Sequence, residues 1–308
     1  QGDLQRILDE HDKWIQSDGE RGHRADLTGA KLKDAYILGA NLSNSIMIEV
    51  DLSNAILHEA DISDANLLTA NLTNIKIINT DLTNTYLMGS NLKNVLYEPK
   101  IGSIPSIPPL IHAKNLETMT FRNFSHGLMA LRNGFQEYGY REQERKITYA
   151  LKHSSTQHLL WSDDLTDNIE GYLRLILFEH TSRWGLSPGR PLLIMIYLIV
   201  LFSIPYMISL CGFSDKHVVW RDWSRGESRS GAGPEKTEKL DCSTGLQIWG
   251  YGLYFSLLSA VHIGWRDLNV GNWITRIQQR EYTLRATGWV RTVSGIQSLI
   301  SVYLLALA

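Results

Sequence analysis

The chain has 308 residues, with 30 Lys and Arg against 32 Asp and Glu, a formal net charge of −2 and a pI near 6.6. That balance excludes the strongly basic surface expected of a nucleic-acid binder. The average conceals a segregation: residues 1–190 are mostly polar, whereas 191–212 and 246–264 contain no Asp, Glu, Lys or Arg, and 292–308 is again apolar. No initiator Met and no N-terminal signal peptide are visible, so the chain reads as a piece of a longer protein.

From Ala25 to Asn94 the sequence divides into fourteen consecutive blocks of five, beginning ADLTG, AKLKD, AYILG, ANLSN and ending SNLKN. The third position is apolar throughout, from Leu27, Leu32, Ile37 and Leu42 to Leu92, and the first is Ala in eight blocks and small or β-branched in the others. Neither a helix nor a flat strand has this period. A solenoid does, if each block forms one side of a coil and turns its third and first residues inward.

The A(D/N)LxN pattern resembles the pentapeptide-repeat family. The resemblance implies a right-handed, four-sided β-helix over 25–98, with about three and a half coils in its fourteen blocks. The preceding HDKWIQSDGERGHRADL resembles the helix and turn that lead into such repeats, so 1–24 is expected to be a capping helix with Trp14 and Ile15 over the open core. Some family members mimic DNA, which needs a strongly acidic outer face. Here eight acidic residues and four Lys are scattered over the repeat, which favours a spacer, partner-binding or oligomerisation platform.

PKIGSIPSIPPL holds four prolines, and 99–114 is expected to be a linker that ends the solenoid. Over 115–152 the spacing of Phe121, Phe124, Leu128, Leu131 and Phe135, with a turn at Gly139, predicts a helical hairpin whose second helix covers 141–152. The stretch 168–184 has apolar residues on one side and Arg174, Glu179 and Arg183 on the other. Two readings stand: a helix lying along a membrane surface, or one packing on the hairpin. Together 115–190 form the hairpin and juxtamembrane region. Gly185-Leu-Ser187-Pro-Gly189 fits G-x-S-x-G, but Pro188 follows the serine where a hydrolase needs a helix to start. No catalytic set, metal site or cofactor motif is read, and the histidines show no ligand spacing.

Residues 191–212 are long enough to span a hydrocarbon core of about 30 Å. Arg183 and Arg190 at their N-terminal end put the solenoid in the cytoplasm and the loop 213–245, with six basic and six acidic residues, outside. Cys211 and Cys242 bracket that loop, either as a disulfide or as two free thiols.

Span, charged loop, short apolar helix, glycine turn, Asp and second span is an order that resembles the two-span, pore-loop channels of the potassium-channel superfamily. Tyr254-Phe255-Ser256 matches the pore helix, Ile263-Gly264 the V-G of the filter, and Asp267 its closing Asp. The resemblance implies a pore helix and filter over 246–268, a connecting segment 269–288 and a second span 289–308 that is truncated here. It also implies an assembly of four copies.

The filter would comprise His262, Ile263, Gly264, Trp265, Arg266 and Asp267. His262 stands where the family has Thr, Trp265 where it has Tyr, and Arg266 where it has the second Gly. That substitution removes the backbone freedom a carbonyl ladder uses. Either Arg266 pairs outward with Asp267 and leaves a weakly selective pore, or it forms a ring favouring anions.

A second topology stays open. Arg266, Arg276, Arg280, Arg285 and Arg291 would be cytoplasmic if 246–264 crossed fully, as the positive-inside tendency prefers. In the last segment Ser294, Gln297, Ser298 and Ser301 share one helical face, read as lining a conduction path, with close helix packing as the alternative.

The sequence thus predicts a multidomain chain: a pentapeptide β-helix, a helical hairpin and an all-α transmembrane pore module. The expected function is that of a multi-pass inner-membrane ion channel, homotetrameric, with its N-terminal domain cytoplasmic. Its partners would be inorganic ions, the lipid bilayer, other copies of itself and a cytoplasmic protein on the solenoid, with no nucleic acid. A non-conducting membrane-anchored scaffold is the alternative.

Overall fold

The computed structural model describes residues 2–210, 219–223, 237–239, 245–265, 282–286 and 288–308. They form two compact units, 1–186 and 187–308.

In the first unit, helix α1 (Gly2–Gln16) precedes four three-residue strands, β1 (Tyr36–Leu38), β2 (Ile56–His58), β3 (Lys76–Ile78) and β4 (Leu96–Glu98). They pair in parallel in the order β1-β2-β3-β4, with Tyr36 opposite Ile56, Ile56 opposite Lys76 and Lys76 opposite Leu96. The step is 20 residues, so four blocks of five make one coil. The other sides are closed by isolated bridges with the same step, such as Asp26 to Ile46 and Lys31 to Asp51.

The third residues form the core: Leu42, Met47, Leu52, Leu57, Ile62, Leu67, Leu72, Leu82 and Leu92 are each at most 2 % exposed. The first residues Ala55, Ala60, Ala65 and Ala70 are buried beside them. Position five has its own rule: from Gly29 and Asp34 to Gly89 and Asn94 it adopts a positive φ in every block. Gly, Asn and Asp tolerate that region best, which explains their frequency there.

The end caps differ from expectation. At the N-terminal end, Leu4, Ile7 and Leu8 pack on the solenoid core and His11 is fully buried, while Trp14 and Ile15 are half-buried. At the other end the proline-rich stretch is no linker. Ile107 and Leu110 of the short helix α2 (Ile107–Leu110), with Leu116 and Met119, belong to the same core. Asn91 bridges Lys114 and Leu96 bridges Thr120, so the chain completes another coil through 99–120. The prolines lack an N–H to donate, but the apolar residues between them still turn inward.

The hairpin is present as α3 (His126–Glu137) and α4 (Arg141–Leu160), joined at Gly139 with φ +76. Leu128, Leu131 and Phe135, with Ile147, Ala150 and Leu151, extend the solenoid core. Phe124 lies before α3 and is exposed, and α4 runs eight residues past its expected end. Helix α5 (Leu165–Arg174), capped by Asp164 accepting from the Thr166 N–H, packs on α4 and passes into a π-helical turn, Leu175–Glu179.

The second unit holds α6 (Gly189–Leu210), α7 (Gly245–Trp265) and α8 (Gly288–Leu307), which pack on one another. It also holds β5 (Val219–Trp223), β6 (Thr237–Lys239) and β7 (Tyr282–Ala286). These strands form one antiparallel sheet in the order β6-β5-β7.

Candidate functional site

Helix α6 is long and apolar enough to cross a membrane, and only 17 % of its most apolar stretch is buried. Its one helix breaker, Pro205, sits inside the helix near Ser203, whose Oγ donates to the Val200 carbonyl at 2.6 Å. Helices α6 and α7 approach closely at Gly252, where an added Cβ would lie 2.6 Å from Met207 Cγ and 3.0 Å from the Ser203 carbonyl oxygen.

The three helices are held together by buried polar side chains. Tyr206, fully buried, donates to Gln297 Oε1 at 2.8 Å. Gln297 Nε2 donates to the Ser256 carbonyl at 2.9 Å and to Ser256 Oγ at 2.7 Å. Ser256 Oγ reaches the Ile199 carbonyl at 2.6 Å, so one chain of bonds links α6, α7 and α8. Ser294 Oγ donates to Ser259 Oγ at 2.8 Å, and Ser298 Oγ bonds the Ser259 carbonyl. Around this network Tyr206, Phe255 and Val290 form an apolar cluster with Phe202 and Val293, the Tyr206 and Phe255 rings meeting edge-on at 4.6 Å.

Within one chain, this placement gives the α8 stripe the second of its two sequence readings, close helix packing. Gln297, Ser298 and Ser301 are at most 5 % exposed, and Ser294 bonds across to α7. The stripe faces the neighbouring helices, with Gln297 bonded to Tyr206 on α6 and to Ser256 on α7. Tyr206, Ser256 and Ser259 were missed as members of this site. Ser256 entered the sequence reading only through the Tyr254-Phe255-Ser256 match, and Ser259 and Tyr206 were given no role.

The filter expectation is also revised. His262, Ile263, Gly264 and Trp265 form the last turn of α7 with helical backbone, not the start of an extended ladder. No proline interrupts Ala260–Trp265, and each further residue adds a hydrogen bond to a helix already nucleated. The last carbonyls of a helix have no partner within it and carry the negative end of its dipole. Arg266 and Asp267 lie outside the described residues, as do Cys211 and Cys242 and so the disulfide expectation. Among the described residues no group of His, Cys, Asp or Glu is placed to hold a metal.

The sheet constrains where the helices begin and end. Val219 pairs with Ala286 and Trp223 with Tyr282, joining the segment after α6 to the segment just before α8. Trp220 pairs with Lys239, which brings the segment leading into α7 to the same sheet. The packing of Tyr206 on Val290 agrees, bringing the C-terminal part of α6 to the N-terminal part of α8.

Comparison with known proteins bears on the solenoid. The family of pentapeptide repeats matches at 25–64, 38–74 and 65–95, and this region is a pentapeptide-repeat domain. Among solved structures, a pentapeptide repeat protein from the thylakoid lumen of Arabidopsis thaliana is 19 % identical over 32 % of this chain and 55 % of its own, with a TM-score of 0.24. HetL from the cyanobacterium Nostoc, a pentapeptide repeat protein involved in heterocyst differentiation regulation, is 23 % identical over 32 % of this chain and 43 % of its own, with a TM-score of 0.25. A further Nostoc pentapeptide repeat protein is 20 % identical over 40 % of this chain and 89 % of its own, with a TM-score of 0.21. This chain thus spans about half the length of the first two. No curated protein matches it.

Proposed function

We propose that this chain, whose residues 25–95 are a pentapeptide-repeat domain, is a membrane protein in which several copies assemble a pathway for ions, with α7 entering the bilayer and the chain returning on the same side. The observation that carries the reading is the pairing of β5 with β7. If α6 and α8 both cross the membrane, the sheet keeps the end of α6, the start of α7 and the start of α8 on one side. Helix α7, 21 residues and about 31 Å long, then points away from that side. The sixteen residues 266–281 must come back to Tyr282, a distance well within the ~50 Å that such a length can span. If the chain stayed on the far side after α7, β5 and β7 would lie on opposite faces, where they cannot pair. That steric constraint outweighs the charge bias of Arg276, Arg280, Arg285 and Arg291, which is only a tendency.

Two further features support a membrane site and a pathway between copies. Helix α5 and the π-turn leave Leu165, Ile169, Tyr172, Leu173 and Ile176 exposed at helical spacing, which suits an interfacial position and agrees with α5 also packing on α4. The interior of the α6–α7–α8 bundle is filled by Tyr206, Phe255 and Gln297, so conduction requires space between chains. With residues 262–265 helical, weak selectivity rests on the sequence alone, where Arg266 replaces the second glycine of a potassium-filter motif. Four copies, a cytoplasmic solenoid and a protein partner on it belong to the same reading.

Planar-bilayer recording of the purified oligomer under asymmetric potassium chloride tests it. Discrete currents are expected, with a reversal potential that moves on Arg266→Gly. Silence of the folded oligomer across voltage, pH and divalent-ion steps would leave the membrane-anchored scaffold as the answer.

A further inference from the structure

A cavity of about 410 Å³ lies in the first unit between the segment Thr120–Arg122 and one face of α4. That volume falls in the range of about 300–1,000 Å³ typical of small-molecule sites. Phe121, Arg122, His153, Ser154, His158 and Trp161 are among its lining residues, and no Asp or Glu lines it.

Its walls are built. Phe121 stacks on His158 with ring centroids 5.4 Å apart, and His158 Nε2 lies 3.1 Å from the Phe121 carbonyl oxygen. Glu98, 5 % exposed, accepts the backbone N–H groups of Arg122 and Phe124 at 2.9 Å each, and that of Asn123. Burial would raise this carboxyl, but the three N–H donors more than compensate and hold it below its usual range. The backbone carrying Phe121 and Arg122 is thereby fixed to the last coil of the solenoid. His153 is fixed from behind, its Nδ1 3.3 Å from Glu179 Oε1.

Two groups lack what their chemistry asks for. Ser154 is 3 % exposed, and its hydroxyl has no hydrogen-bond partner, a costly state for a buried polar group. Trp161 is 85 % exposed, a large planar surface left open at the rim. The combination selects its ligand. An aromatic wall with an uncovered indole asks for a planar ring. The exposed Arg122 guanidinium at the rim asks for an anion, whereas His153 is already engaged by Glu179. The volume exceeds what a bare inorganic anion fills.

We propose that this cavity binds a nucleoside monophosphate, with the base against Trp161 and the phosphate toward Arg122. The site lies wholly in residues 120–161 and does not depend on ion conduction, so binding and current fail or succeed separately.

Isothermal titration of the full chain in detergent with the four ribonucleoside monophosphates tests the proposal, with adenosine and inorganic phosphate as partial ligands. At least one nucleotide should bind saturably, and each fragment should bind more weakly. Trp161→Ala and Arg122→Ala should each weaken binding by about tenfold or more. Both side chains are exposed, so thermal unfolding of the variants should match the parent. Absence of saturable binding by all four nucleotides, or affinity unchanged in both variants, overturns the assignment.

Discussion

Tyr206 and Gln297, on two different helices and 91 residues apart in sequence, share a hydrogen bond of 2.8 Å inside an apolar cluster. In a bilayer such a bond has no water to replace it, so the glutamine acts as a register pin for three helices. Gln297→Leu leaves the Tyr206 hydroxyl without its acceptor and should destabilise the three-helix unit by about 1–3 kcal/mol. Tyr206→Phe, which removes only the hydroxyl, should cost about 0.5–1.5 kcal/mol. Thermal unfolding in detergent checks both, and the reverse ranking would argue against the pin.

Asp222 lies directly opposite Thr283 in the antiparallel sheet. With Cys211 and Cys242 replaced by Ser, the pair Asp222→Cys and Thr283→Cys should form a disulfide, since facing residues bring their Cβ atoms to about 4.5–5.5 Å. Either single cysteine should react with an impermeant thiol reagent from the same face of sealed vesicles. Labelling from opposite faces would show that α7 crosses fully and would end the re-entrant reading.

At the N-terminal cap, His11 uses both ring nitrogens. Nδ1 accepts the Ala25 N–H at 3.0 Å, so Nε2 is the donor to the Ser43 carbonyl at 2.9 Å. Burial pushes its pKa below the usual histidine value, and protonation at Nδ1 would break the bond from Ala25. A lowered folded-state value means that the unfolded chain takes up its proton first as pH falls. The cap's contribution is therefore complete above about pH 6.5 and is lost as pH drops through the folded value. Unfolding temperature measured against pH should show a slope in that window that His11→Gln removes.

Gly29, Glu49, Thr69 and Gly89 occupy the same corner in successive coils, all at positive φ, and Thr69 is β-branched at φ 54. A Cβ in this region costs about 1–2 kcal/mol. Thr69→Gly should therefore raise solenoid stability by about 0.5–1 kcal/mol after the entropy that glycine adds to the unfolded chain. Chemical denaturation followed by circular dichroism would register this as a higher midpoint, and a lower one would mean that the Thr69 methyl is needed in the corner.

The solenoid was legible because its signal is periodic and local. Leu27 to Leu92 announce the inward face one block at a time, and each coil repeats the contacts of the last. The continuation through 99–120 was not legible, since prolines read as a break when only backbone donors are counted. The decision rested on Ile107, Leu110, Leu116 and Met119 finding an open core end to cover. The cavity gave no sequence signal at all: Arg122 and Trp161, 39 residues apart in sequence, line it together only in the folded chain.

The sequence by itself determined the five-residue period, the inward leucines, the helical hairpin and the apolar run of α6, because each depends on side chains a few residues apart along one element. Tertiary structure alone decided that the α8 stripe bonds to α6 and α7, that α7 extends through Trp265, and that β5 and β7 share a sheet. A polar residue on an apolar helix carries the same local pattern whether it faces a pore or a partner. Only the position of a distant donor or acceptor, here Tyr206 and Ser256 for Gln297, settles which one it meets.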